Sequence, residues 1–134
     1  MKVLSVDPGA KRVGLARGES DPGIAFPYRL LSCSDVTEAA QEIQNVVQEE
    51  DMDRVLLGWP LNFDSQKTEQ TEAVETLYAA LTERLSIPVE KVDERLTSKR
   101  ARQNRREGGT SSIDVESARV LLEDWFQARG RESA

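Results

Sequence analysis

The sequence predicts a mixed α/β domain in which a three-strand meander opens the sheet, helices and strands then alternate, and helices cover both faces. Short apolar runs of strand length, such as Val3-Leu4 with Val6 and Val55-Leu56-Leu57, stop on acids or turn formers. Between them lie segments whose apolar residues recur every three or four positions, the helical period. Their order reads strand, strand, strand, helix, strand, helix, strand, helix, helix. In a sheet of this kind, functional groups collect beyond the strand ends.

Taken in order, Val3 to Val6 is a buried strand that ends on Asp7, and Pro8-Gly9 turns the chain. Val13-Gly14-Leu15-Ala16 returns as the second arm of a hairpin whose bend carries Lys11 and Arg12. A carboxylate at the tip of a central strand is costly unless a cation or metal pairs with it, which makes Asp7 a site candidate. Capping of the turn through nearby amides accounts for it equally well. Asp21 to Pro27 reads as turn, and Tyr28 to Ser32 as the third strand.

Asp35 to Glu50 is an amphipathic helix, opened by a capping box of Asp35 and Glu38. Arg54 to Gly58 is a buried strand, and Pro60 forces a loop over Trp59 to Asp64 in which Trp59 and Phe63 read as packing residues rather than base-stacking platforms. Val74, Leu77, Tyr78, Leu81 and Leu85 line a helix from Thr68 to Leu85, and Val89 to Val92 is the last strand. It too ends in acids, Asp93 and Glu94. Alternation sends these to opposite sides, so only one can face Asp7, and spacing alone leaves the choice open. Thr97 caps a helix from Ser98 to Glu107, and Gly108-Gly109 stops it. Ser111 and Asp114 form a second capping box, ahead of a helix buried through Val115, Ala118, Leu122, Trp125 and Phe126. As a first-turn acid, Asp114 has a sufficient capping role of its own.

At 134 residues with 38% apolar content, the chain fits one domain, 1–134. No run approaches the ~20 apolar residues of a membrane helix, so a soluble, cytoplasmic protein is expected. One cysteine and no histidine exclude an internal disulfide, zinc-finger-type sites and imidazole catalysis. The net charge of -6 argues against a uniformly basic nucleic-acid binder. The charges are segregated, however: seven acids and no cation lie between Asp35 and Asp53, whereas Arg95, Lys99, Arg100, Arg102, Arg105 and Arg106 crowd one stretch. Such a run is commonly a solvated face; beside a metal site it is a phosphate-binding surface.

Asp7, Asp93 or Glu94, and Asp114 converge from two strand ends and one helix start. Carboxylates so placed suit one or two magnesium or manganese ions, which take oxygen ligands and lower the pKa of an attacking water. Lys11, Arg12 and the basic stretch would then hold the phosphates of a polyanion.

Asp7-x-Gly9-x-Lys11-Arg12-x-Gly14-x-Ala16, Gly58-Trp59-Pro60-Leu61-Asn62, Asp93-Glu94-Arg95-Leu96-Thr97, and Asp114 with Ser117-Ala118 together closely resemble the YqgF family. These are Holliday-junction-resolvase-like proteins, also described as pre-16S rRNA nucleases, and the resemblance spans nearly the whole chain. It implies a single ribonuclease-H-like nuclease domain with Asp7, Glu94 and Asp114 as metal-binding catalytic carboxylates and Asp93 as a possible additional acid. The implied activity is processing of the 5′ end of pre-16S rRNA during ribosome assembly. Cleavage of branched DNA by a homodimer is the alternative, and an RNA-binding assembly factor that does not cut is the second. Sugar-kinase and actin-type ATPases share a strand-Asp-x-Gly hairpin but need a second domain for which 134 residues leave no room. Ser65, where the family usually has glycine, and Ser117, where it often has alanine, depart from the pattern without touching the implied ligands.

Overall fold

The computed structural model describes residues 1–8, 12–59, 69–93 and 113–133. Five strands, β1 (Lys2–Pro8), β2 (Arg12–Glu19), β3 (Ile24–Ser32), β4 (Arg54–Trp59) and β5 (Val89–Asp93), form one sheet in the order β3-β2-β1-β4-β5. The β1-β2-β3 meander is antiparallel, and β4 and β5 run parallel to β1. The expected mixed sheet is therefore present, with β1 at its centre. Because β1, β4 and β5 share a direction, their C-terminal ends open on a single edge.

Two cores sandwich the sheet, as alternation along the strands requires. Leu4, Val6, Leu15, Val55 and Leu57 face α1 (Val36–Glu49) and α2 (Glu69–Arg84), which contribute Ile43, Val46, Val74, Leu77 and Leu81. Val3, Ala16 and Leu56 face α3 (Ile113–Ser133), which contributes Ala118, Leu121, Leu122, Trp125 and Phe126. Each fully buried leucine contributes about 2 kcal/mol. Arg119, which bridges Glu116 and Glu123 along α3 at 3.0 and 2.7 Å, adds less than about 1 kcal/mol as a surface network. The apolar stripe, not the ion pairs, holds α3 on the sheet.

Two expectations change in detail. The third strand begins at Ile24, four positions before Tyr28, and runs through Pro27. It is an edge strand with a register shift opposite Leu15/Ala16, where a missing amide donor is tolerated. At the start of α1, Asp35 Oδ1 accepts from the Glu38 amide at 2.8 Å, but the Glu38 carboxylate accepts from the hydroxyl and amide of Ser34 rather than from Asp35. Those bonds hold the Glu38 carboxyl below its ordinary pKa. The predicted helix over Ser98 to Glu107 and most of the loop after Trp59 lie outside the described residues.

The acidity at this end of α1 has a chemical consequence. Partial burial, then the carboxylates of Glu38, Glu42 and Asp35, push the Cys33 thiol above its ordinary pKa. Since the thiolate is the nucleophile, Cys33 should react with iodoacetamide at neutral pH more slowly than free cysteine. Its rate-against-pH curve should be displaced upward; a curve matching that of free cysteine would contradict this environment.

Candidate active-site edge

Asp7 is the described member of the expected carboxylate set, and its place follows from strand parity. Val3 belongs to the α3 core and Leu4 and Val6 to the opposite one, so Asp7 lies on the α3 side of β1. Only 6% of it is exposed. Its partner position on β2 is Gly14, and Val6 pairs with Leu57, the residue before Gly58 on β4. A residue without a side chain thus stands beside Asp7 on β2, and another lies at its level on β4. The carboxylate occupies a notch that larger neighbours would fill.

Ideal rises set how far α3 extends along β1. Phe126 packs against Gly18, whose missing Cβ would lie 2.9 Å from the Phe126 ring, and Gly18 pairs with Val3 at the start of β1. From Val3 to Asp7 the strand rises ~13 Å, a distance that a helix covers in ~9 residues. For a helix laid along β1, counting back from Phe126 brings Ser117 to about the level of Asp7 and position 114 one turn beyond. Ser117 is 1% exposed, and Ser5, two positions before Asp7 on the same face, is 0% exposed. Among the described residues neither hydroxyl has a hydrogen-bond partner. Ser5 carries no motif in the sequence, and Ser117 enters it only beside Asp114, where the family often has alanine.

Asp93 closes β5 in register with Trp59. Trp59 packs against the α1/α2 core, whereas Val92 packs against the α3 core. Position 93 is therefore on the sheet face away from Asp7. Glu94, Lys11, Arg95, Lys99, Arg100, Arg102, Arg105 and Arg106 lie outside the described residues. Arg12 is exposed at the start of β2, near the Asp7 end of the hairpin. Among the described residues no three acidic, cysteine or histidine side chains gather into a metal cluster, and no helix is long and apolar enough to cross a membrane. What the described part shows is a buried carboxylate in a glycine-flanked notch. Hard oxygen donors in such a place fit magnesium or manganese.

A second group at this edge was not anticipated. The Lys91 ammonium lies 4.4 Å from the Trp59 ring centre and 4.5 Å from that of Tyr78, and the two rings meet edge to face at 6.1 Å. The packing role expected for Trp59 holds.

The family model described as RuvX, Holliday junction resolvase, matches residues 1–128. A Maridesulfovibrio salexigens protein provisionally named pre-16S rRNA nuclease is 34% identical, covering 94% of this chain and 98% of its own length. A Chloroflexus aurantiacus protein with the same name is 35% identical, covering 95% and 87%. Among solved structures, RuvC of T. thermophilus in complex with a Holliday junction substrate superposes with a TM-score of 0.67 at 17% identity, covering 97% of this chain and 96% of that one. At that identity the likeness concerns the fold, which is ribonuclease-H-like.

Proposed function

The chain belongs to the RuvX family of Holliday junction resolvases, also called YqgF, and on that premise we propose that it is a divalent-metal-dependent nuclease that processes the 5′ end of pre-16S rRNA. The observation that carries this reading is the buried Asp7 in its glycine-flanked notch at the end of the central strand. The names of its relatives favour the ribosomal substrate. Asp7, Glu94 and Asp114 would hold the ion, magnesium or manganese, which supplies an activated water and neutralises both oxygens of an in-line displacement.

Parity supports Glu94 over Asp93. Position 93 shares the face of Trp59, so a strand continued by one residue returns Glu94 to the face of Asp7. Asp93 is then an auxiliary acid at most, acting from the opposite side. Asp114, in the first turn of α3, would supply the third carboxylate. Arg12 and Lys11 on the hairpin, with Arg95, Lys99, Arg100, Arg102, Arg105 and Arg106, bind the phosphates and orient the scissile one. A role in ribosome assembly places the protein in the cytoplasm.

The family description favours a second reading, cleavage of branched DNA. Two symmetric cuts need two such sites, so a homodimer belongs to that alternative. Labelled pre-16S rRNA and a four-way DNA junction, offered side by side with magnesium or manganese, separate the possibilities. Metal-dependent trimming of the rRNA at its 5′ end is expected. Cutting of the junction alone would transfer the assignment to recombination. If RNA is bound and neither substrate is cut, the chain is a non-catalytic assembly factor.

A further inference from the structure

Among the described residues, three buried side-chain polar atoms have no hydrogen-bond partner: Arg54 Nε and the hydroxyls of Ser5 and Ser117. The first belongs to a guanidinium that already donates to Glu90 at 3.2 Å, at the far end of the sheet beside Val3. The two hydroxyls belong to the two layers that meet on the Asp7 side of the sheet. Ser5 is on the α3 side of β1, since Val3 packs with α3 while Leu4 and Val6 face the opposite core. It is therefore the neighbour of Asp7 on the same face. Ser117 is buried on α3 at 1% exposure, next to the fully buried Ala118, and a helix laid along β1 sets it at about the level of Asp7.

A buried hydroxyl that bonds to nothing loses its hydration without return, and protein interiors satisfy such groups with an ordered water that typically makes about three hydrogen bonds. The residues around this pair leave room for one. Gly14 stands opposite Asp7 and Ala16 opposite Ser5 on β2, and Ala118 belongs with Ala16 to the core beneath α3. Small side chains on sheet and helix alike keep carbon from filling the space. Along the strand Ser5 and Asp7 are ~7 Å apart, too far for a direct bond between upright side chains. One water bridges two oxygens up to ~5.5 Å apart, a span these side chains reach by leaning toward each other. We infer that Ser5 and Ser117 are positioning residues, which hold one internal water against the Asp7 carboxylate and fix its orientation from within the protein. A carboxylate accepts at about four sites, so this bond adds to the others that Asp7 makes and leaves an oxygen for an ion. The inference rests on the reading of Asp7 as a metal ligand for its effect on the ion, but not for the water itself.

Two measurements on the metal-free chain test the water. Magnetic relaxation dispersion of oxygen-17 water counts long-lived internal waters, and Ser5→Ala and Ser117→Ala should each remove one. Both variants should also melt at a lower temperature than the unaltered chain, because each takes a partner from a satisfied water; deletion of a hydroxyl that is simply unpaired would raise the midpoint instead. Manganese affinity, read from the paramagnetic resonance of the free ion, then tests the positioning. Each variant should lose roughly tenfold, and the double variant no more than either alone, since both hydroxyls act through one water. A raised midpoint with an unchanged count of internal waters overturns the inference. So does manganese affinity that ignores both serines while responding to Asp7→Asn, a result that leaves the nuclease reading in place. If manganese binding ignores Asp7→Asn as well, it is the reading of Asp7 as a ligand that fails, and the water count alone upholds or overturns the site.

Discussion

Asp7→Asn should reduce metal-dependent cleavage by roughly a thousandfold or more while leaving the unfolding midpoint close to that of the unaltered chain. The two side chains are nearly identical in size, so the notch beside Gly14 stays filled and the β1-β2 pairing keeps its register. What is lost is one negative charge held at 6% exposure. A unit charge pair at ~4 Å and an effective dielectric near 20 is worth about 4 kcal/mol. Losing attraction of that order at a divalent ion costs two to three decades of affinity, before any effect on the positioning of the attacking water. Single-turnover cleavage, with manganese binding followed separately, makes the measurement. Normal cleavage by the folded variant would take Asp7 out of the mechanism and return it to the role of a turn cap. If the variant also supported ribosome assembly in cells, the non-catalytic reading would gain the lead.

The largest effect on stability is expected at Gly18. A Cβ there would stand 2.3 Å from the Ile24 carbonyl oxygen and 2.9 Å from Cε2 of Phe126. The first obstacle is backbone of the paired strand β3 and cannot swing aside; the second is a ring buried in the α3 core. Gly18→Ala must therefore shift β3 or lift α3. Overpacking of this kind costs about 1–3 kcal/mol, and a backbone obstacle places it at the upper end. The thermal midpoint should fall by roughly 10 °C. Gly23 provides the contrast, since a Cβ there meets nothing closer than 3.5 Å and its φ of +85° is the sole obstacle, for about 1–2 kcal/mol. Melting curves of the two alanine variants, followed in the near-UV signal of the tryptophans, should rank Gly18 as the more damaging. The reverse order would mean that α3 does not sit on β2 as closely as described.

Several features were legible because they depend on local chemistry. The apolar runs, the Asp35 cap, the helical stripes of α1 and α2, and the buried face of α3 through Ala118, Leu122, Trp125 and Phe126 all appear where periodicity put them. The start of β3 was missed because turn residues at Asp21 to Pro27 outweigh the weak alternation of Ile24 and Phe26. Both of those side chains are exposed on an edge strand, where hydrophobic patterning is under little constraint. The choice between Asp93 and Glu94 could not be made from spacing, which says that they diverge but not which of them faces Asp7.

The sequence by itself determined the order of the described elements, the mixed character of the sheet, the absence of imidazole and disulfide chemistry, and the candidacy of Asp7 as a carboxylate at a strand tip. These follow from residue type and from periods of two and 3.6, which a chain carries before it folds. Only the tertiary structure decided that β4 and β5 run parallel to β1, that position 93 lies on the Trp59 face, that glycines open the space around Asp7, and that Lys91 lodges between two rings drawn from a strand and a helix. Those facts depend on register and on which elements become neighbours. Both are set by packing among residues far apart in the chain, where no local pattern records the partner.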